Sequence, residues 1–404
     1  MTSERHFVIV GGGLAAAKLA EALRANDFDG QITLIGAEEH LPYERPPLSK
    51  EHLFGKKNLA DFTAATGDWY RDHRVDVRLG TEVRAIDRAA KTVTLPDGST
   101  LGYDKLALAT GSAPRRLDLP GADGPNVRQL RTIEDSDAIL DLFGGASKIG
   151  RLAVVGAGWI GLEVAAAARS AGVEVTVVES ARLPLLGALG PEMGEFFAQL
   201  HRDNGVDLRL DAGVSEIGAS GLRLADGSSV DADAVLIAVG AAPNVGLAEA
   251  AGLEVDNGVL VDASLATADP DIVAVGDIAA QDHPRLHRRI RVEHWANALN
   301  QPAVAARTML GESAEYDRLP YFFTDQYDVG MEYTGYAAPG DYARVVVRGD
   351  PGKREFVAFW LDSADRVLAG MNVNVWDVTD RIKELINSGD PVDADRLADT
   401  SAEL

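Results

Sequence analysis

The hydrophobic pattern is organised around residues 6–23, HFVIVGGGLAAAKLAEAL. Phe7 to Val10 is a short apolar run of the buried-strand type. It gives way to Gly11, Gly12 and Gly13, and then to an Ala/Leu/Lys/Glu pattern with helical period. The same succession returns at 151–180, RLAVVGAGWIGLEVAAAARSAGVEVTVVES, and ends on Glu179. Buried strands alternating with helices predict a parallel sheet covered on both faces.

The stretches between these two blocks fill in the units. Residues 32–36 read as a second parallel strand. Residues 83–95 and 100–109 read as strands joined through Asp97-Gly98, a strong hairpin signal. The second strand ends at Thr110 and Gly111. Thr132 and Asp135 resemble a capping box for a helix over 133–143. Residues 222–240 repeat the hairpin pattern of 93–111, but the first unit is longer by 16 residues between its glycine loop and its hairpin. PYERPPLSK (42–50) lies in that insertion. Its three prolines exclude regular structure and predict a rigid loop that holds Arg45 and Lys50 at fixed places. Residues 265–278 read as an apolar strand ending at Gly276-Asp277, and 293–310 as a helix with Trp295 near its start. From 319 the texture changes to alternating strands, followed by a helix over 380–386 and an acidic last dozen residues expected to fray.

These elements predict an α/β protein with two Rossmann-like dinucleotide-binding domains and a C-terminal α+β domain built on an antiparallel sheet. The expected boundaries are 1–113 with 244–318 for the first domain, 114–243 for the second and 319–404 for the third.

The glycine spacings carry the chemistry. Gly11-x-Gly13-x-x-Ala16 and Gly156-x-Gly158-x-x-Gly161 both follow a strand and open a helix. The first position permits the tight turn, the second lets backbone approach a pyrophosphate, and the third lets helix and strand pack closely. The helix N-terminus adds unpaired N–H groups and a partial positive charge. An acidic residue about 20 positions on would bond an adenosine ribose. Glu179 fills that place in the second unit and favours a free 2′-hydroxyl, hence NADH over NADPH. In the first unit Gly36 holds the strand end, and Glu38 is the favoured acid. Asp277 sits at a strand C-terminus, where doubly wound sheets bind ligands.

Composition narrows the choice. The chain has 404 residues, a formal net charge of −23 and no cysteine. The charge disfavours nucleic acid and anionic membrane. No apolar run approaches a membrane span, and the N-terminus lacks a basic-plus-apolar signal, so a soluble cytoplasmic protein is expected. Without cysteine the chain cannot run thiol redox chemistry or ligate an iron–sulfur cluster through its own thiolates. No metal site is expected.

The two fingerprints, the ATG strand end, RPPLSK, and VGDIA followed by EHWANA together resemble the oxygenase-coupled, NADH-dependent ferredoxin reductases, a group of glutathione-reductase-like fold. The resemblance runs through PYFFTDQY into the C-terminal domain. It implies FAD on the first unit, held by Gly11, Gly13, Ala16, Glu38, Arg45, Lys50, Thr110, Gly111, Asp277 and Trp295. It implies NADH on the second, held by Gly156, Gly158, Gly161, Glu163 and Glu179. The implied reaction is hydride transfer from NADH to FAD, then single-electron transfer to a 2Fe–2S ferredoxin feeding a cytochrome P450 or dioxygenase. Lys50 would tune the flavin, and Glu163, paired with Lys50, would place the nicotinamide. The cationic run Arg285, Arg288, Arg289 and Arg291 is the candidate docking patch for an acidic ferredoxin. Two positions depart from the family pattern, Ala16 in the first fingerprint and Phe323 where relatives often carry Trp. A rubredoxin or quinone reductase, and a non-enzymatic NADH-sensing flavoprotein resembling apoptosis-inducing factor, are the alternatives. Either a monomer or a homodimer is expected.

Overall fold

Each apolar strand–glycine–helix block builds a parallel sheet of its own. The computed structural model describes residues 5–404, and its chain divides into two compact units. The first holds the chain up to Pro46, Asn58–Ala113 and Ala241–Arg318; the second holds Pro47–Lys57, Pro114–Gly240 and Leu319–Leu404.

In the first unit five parallel strands lie in the order Ile272–Ala274, Lys105–Leu108, His6–Val10, Gln31–Ile35, Val75–Arg78. His6–Val10 sits at the centre, which is why Val8 and Ile9 are fully buried. The helix Leu14–Ala25 turns Ala16, Leu19, Ala20 and Leu23 inward and packs along the helix Trp295–Leu310. Those inward positions keep the i, i+3, i+4, i+7 spacing of an amphipathic helix.

In the second unit the parallel order is Asp207–Arg209, Glu174–Val178, Arg151–Val155, Ala234–Ile237, Val127–Arg128. The helix Ile133–Gly144 begins with the capping box read from Thr132 and Asp135. The same unit carries a five-stranded antiparallel sheet in the order Tyr321–Gln326, Val329–Gly335, Val367–Val373, Glu355–Leu361, Arg344–Asp350. Its buried Trp360 donates its indole N–H to the Leu189 carbonyl at 3.1 Å.

Four local expectations are corrected. Residues 83–95 are not one strand. They break at a turn in which the Asp87 carboxylate accepts the Ala90 N–H and Lys91 takes a φ of 52°, so Ala85–Asp87 pairs back on Thr92–Thr94. Residues 100–109 divide at Tyr103-Asp104. Asp104 is stapled to the His6 backbone, and only Lys105–Leu108 enters the parallel sheet. The proline loop is not wholly irregular, because Pro46–Ser49 closes one turn of 3₁₀ helix with Pro47, Leu48 and Ser49 buried. The acidic tail does not fray: Asp393 caps a helix at Ala394–Ala398, and the Arg348 guanidinium bonds the carbonyls of Leu397, Asp399 and Ala402. Arg348 lies far back in the sequence, so its role as an anchor leaves no local signal.

Burial also creates a titrating element. His201, on the helix Pro191–Asp203, is 0% exposed, and burial holds its imidazole down to about 4 from 6.5. The folded state therefore prefers the neutral ring. Its contribution is complete above pH 6.5 and is lost as the pH falls towards 4, where the unfolded chain takes a proton the folded one refuses. The loss across that interval is about 3 kcal/mol. Unfolding midpoints measured from pH 7 to 4 are expected to fall less steeply in His201→Gln than in the parent. Parallel slopes would contradict this.

Candidate active site

The first glycine turn is shaped by its neighbours. Gly11 has a φ of 137°, and a Cβ there would lie 2.1 Å from the Ala109 carbonyl oxygen. Only glycine tolerates both the conformation and that approach. Gly13 is the N-cap of the helix Leu14–Ala25 and provides no side-chain acceptor, and a Cβ built on it meets nothing within 4 Å. The helix amides thus open onto free space. Ala16 is fully buried, as its helix-packing role requires.

The second turn follows the same logic more tightly. A Cβ on Gly156, φ 103°, would lie 2.4 Å from Ala238 O, and one on Gly161 would lie 2.2 Å from Gly156 O. Gly158 caps its helix without a side chain and faces open space. Glu179 receives the Ala157 N–H at 2.7 Å and the Ala181 N–H at 2.8 Å. Two backbone donors thus hold its carboxylate at the mouth of the glycine turn.

Around the first turn the expected residues fall into three small groups. Glu38 and Arg45 come together as an ion pair at 2.5 Å, and the Tyr43 hydroxyl donates to Glu38 at 2.5 Å. The Arg45 guanidinium lies 4.7 Å from the Tyr43 ring centroid. Asp277 accepts the Ser112 hydroxyl at 2.7 Å, just beyond Thr110 and Gly111. Thr110 itself donates to Asn244 O at 3.0 Å, and Gly111 takes a φ of 66°. The Trp295 indole donates to the Glu44 carboxylate at 2.9 Å. Desolvation holds the adjacent His294 down to about 4, against the upward pull of Asp277.

Lys50 and Glu163 meet within the second unit at 2.8 Å, their side chains 8% and 5% exposed. Lys50 comes from the loop Pro47–Lys57, and Glu163 from the second turn of the helix Trp159–Ser170. Ser49 donates its hydroxyl to Glu163 Oε2, and Thr324 donates to Oε1 at 2.5 Å. Both carboxylate oxygens are therefore engaged, which is how a buried charge is tolerated. The Lys50 ammonium also lies 5.3 Å from the centroid of the Phe323 ring, within cation–π range. The sequence names Lys50 and Glu163, which the structure brings together, but does not single out Tyr43, Ser49, Ser112 and Thr324, which contact the expected residues.

The cationic run is less available than its composition implies. Arg291 is turned inward, its side chain 8% exposed, with Glu293 at 2.7 Å and Asp277 O at 3.1 Å. Arg285 is paired with Asp317 at 2.6 Å. Arg289 donates to Val261 O and Ala280 O from the strand Arg288–Ile290. Arg288 is exposed beside it. Among the described residues no group of His, Asp and Glu is arranged to hold a metal ion, and no helix is long and apolar enough to cross a membrane.

Comparison with known proteins gives a consistent outcome. Residues 5–301 match the family described as pyridine nucleotide-disulphide oxidoreductase, and residues 321–404 match the reductase C-terminal family. The ferredoxin–NAD(+) reductase component of the anthranilate 1,2-dioxygenase system of Burkholderia cepacia is 42% identical, over 98% of each chain. Putidaredoxin reductase of Pseudomonas putida is 37% identical, over 100% of this chain and 97% of its own. The crystal structure of the covalent putidaredoxin reductase–putidaredoxin complex superposes with a TM-score of 0.93 at 36% identity, covering 99% of this chain and 97% of the other.

Proposed function

Because the chain belongs to the pyridine nucleotide-disulphide oxidoreductase family, as an oxidoreductase of the ferredoxin–NAD(+) reductase type that uses FAD and NADH, we propose that it delivers electrons from NADH to a 2Fe–2S ferredoxin serving an oxygenase. The observation that carries this reading is the pair of glycine turns, each opening uncapped helix amides onto free space, in a chain without cysteine. Both turns fit a phosphate group, since a Cβ at Gly13 or Gly158 would project into the space it needs.

We assign residues 1–113 and 244–318 to FAD, 114–243 to NADH, and 319–404 to a C-terminal interface domain. Gly11, Gly13 and Ala16 hold the FAD pyrophosphate. The Glu38–Arg45 pair, Thr110, Gly111, Asp277 and Trp295 supply further contacts, with Ser112 orienting Asp277 and Glu44 orienting the Trp295 indole. Gly156, Gly158 and Gly161 hold the NADH phosphates. Glu179 accepts the ribose hydroxyl and repels a 2′-phosphate. Bound flavin supplies the conversion of a two-electron donor into a one-electron donor. Lys50 contributes fixed positive charge, and Glu163 keeps that charge in place while positioning the nicotinamide. With no cysteine, electrons leave without a thiol relay. Arg285, Arg288 and Arg289 form the docking patch for an acidic ferredoxin, acting chiefly on the encounter rate. We place the enzyme in the cytoplasm, as a monomer or homodimer.

Anaerobic mixing with NADH or NADPH, followed by a panel of 2Fe–2S ferredoxins and rubredoxin, tests the assignment. NADH is expected to reduce the flavin at least about tenfold faster than NADPH, and Glu179→Ala to narrow that difference. Cytochrome c reduction is expected to require a ferredoxin. Charge reversal at Arg288 and Arg289 should raise the apparent KM for that ferredoxin and flatten its salt dependence. Equal use of both nucleotides would remove the role of Glu179. Electron transfer to rubredoxin alone would reassign the acceptor.

A further inference from the structure

The Glu163 carboxylate ends a row of four hydrogen bonds, three of them buried, that begins well away from it. Thr324 Oγ1, which donates to Glu163 Oε1 at 2.5 Å, itself accepts from Gln326 Nε2 at 3.1 Å. Gln326 Oε1 meets His201 Nε2 at 2.8 Å, and His201 Nδ1 meets the Tyr327 hydroxyl at 3.2 Å. Thr324 and Gln326 lie two apart on the strand Tyr321–Gln326 and so share a face. With His201 they are at most 1% exposed.

The proton positions follow from the groups themselves. An amide oxygen only accepts, so His201 carries its proton on Nε2 and accepts the Tyr327 O–H at Nδ1. An amide nitrogen only donates, so the Thr324 oxygen is an acceptor there and its own proton goes to Glu163. Four hydrogen bonds therefore point one way, Tyr327 to His201 to Gln326 to Thr324 to Glu163. Every donor is neutral, and the single charge lies at the receiving end, partnered by Lys50. Burial holds the imidazole in the neutral form that this direction needs.

We propose that Thr324, Gln326 and His201 are positioning residues for the nucleotide reaction, fixing the Glu163 carboxylate in one orientation and, through it, the Lys50 ammonium. The proposal rests on the reading of Glu163 as a nucleotide-binding residue. The row orients and does not conduct protons, because an amide in its middle would have to pass through its imidic acid form. Three separate segments meet in it: the helix Pro191–Asp203, the strand Tyr321–Gln326 and the helix Trp159–Ser170. The C-terminal sheet thus reaches the Glu163 carboxylate through hydroxyl and amide groups.

Calorimetric titration of the oxidised holoenzyme with NAD+ tests this without turnover. Thr324→Val, which keeps the shape and removes the hydroxyl, is expected to raise the Kd about three- to tenfold, and Thr324→Ser to restore it within about twofold. Gln326→Leu is expected to raise the Kd about two- to fivefold, although Gln326 is one link removed from Glu163. In a Glu163→Gln background Gln326→Leu should add nothing, because the group it orients is already changed. If Glu163→Gln weakens NAD+ binding while Thr324→Val and Gln326→Leu fold and bind normally, the positioning role is overturned and the reading of Glu163 stands. If Glu163→Gln itself leaves the Kd unchanged, that reading fails first. If Gln326→Leu does not fold, the contrast between Thr324→Val and Thr324→Ser decides alone: equal affinities overturn the proposal.

Discussion

Lys50→Met is expected to lower folding stability by about 3 kcal/mol and to slow flavin reduction by NADH on the order of a hundredfold. The stability loss follows from geometry. Lys50 and Glu163 form an ion pair that is almost wholly withdrawn from water. Removing the cation leaves a carboxylate whose burial is no longer compensated by opposite charge, and such losses run to about 3–5 kcal/mol. Ser49 and Thr324 still donate to both oxygens, which places the expected value at the lower end. Replacing both partners, Lys50→Met with Glu163→Gln, should recover much of the stability, because no charge is then buried and the amide still offers the Ser49 and Thr324 hydroxyls hydrogen-bond partners. It should recover none of the rate. Chemical denaturation and anaerobic stopped-flow on the parent and the two variants separate the two effects. An unchanged rate in Lys50→Met would sink the electrostatic role, and a double variant no more stable than the single would sink the account of the loss.

The second large effect separates two glycines three residues apart. Gly161→Ala places a methyl 2.2 Å from the Gly156 carbonyl oxygen and 3.3 Å from Val154 Cγ1. The nearer obstacle is backbone, so the helix Trp159–Ser170 must move off its strand, at about 1–3 kcal/mol. Gly158→Ala meets nothing within 4 Å, and its φ of −82° suits any residue. Its stability should stay within about 0.5 kcal/mol of the parent. Its methyl enters the space where backbone must approach a pyrophosphate, so the KM for NADH is expected to rise about tenfold. Thermal midpoints and NADH saturation curves, measured together, should show the two variants failing in opposite ways. A destabilised Gly158→Ala with normal KM would reverse the assignment of the two glycines.

Local signals carried most of the architecture. Both glycine turns, their helices and the central strands were legible because strand period, turn chemistry and helix period change within a few residues of one another. The capping box at Thr132 and the Asp-Gly hairpins were legible for the same reason. Two of the errors, the Asp87–Lys91 turn and the 3₁₀ turn at Pro46–Ser49, are local, and the others arose where a long-range partner decided the outcome. Tyr103-Asp104 looks like the interior of a strand, and only the bond from Asp104 to the His6 backbone shows why the chain changes sheets there. Arg45 and Glu38 were read separately, and nothing in their spacing announced a pair. Arg291 reads as part of a basic surface, yet Glu293 and the Asp277 carbonyl draw it inward. The tail looked free because its anchor, Arg348, lies in another strand. Family resemblance reached Lys50 and Glu163, whereas the groups that hold Glu163 became visible only with the side chains in place.

The discontinuity of the first unit sets an order of events during synthesis. Its sheet is completed when Ile272–Ala274 pairs with Lys105–Leu108, and the helix Trp295–Leu310 arrives later still to cover Leu14–Ala25. Between the two paired strands lie about 165 residues, on the order of 10–30 s of elongation at typical ribosomal rates. For that time Leu106, Ala107 and Leu108 form the unpaired border of a nascent four-stranded sheet, while the helix Leu14–Ala25 lacks its partner helix. Such a border is a template for intermolecular pairing. The second parallel sheet, whose strands all lie between Val127 and Ile237, can close in the meantime. Lowering the growth temperature in a heterologous host is therefore expected to raise soluble yield by weakening apolar association at that border while it waits.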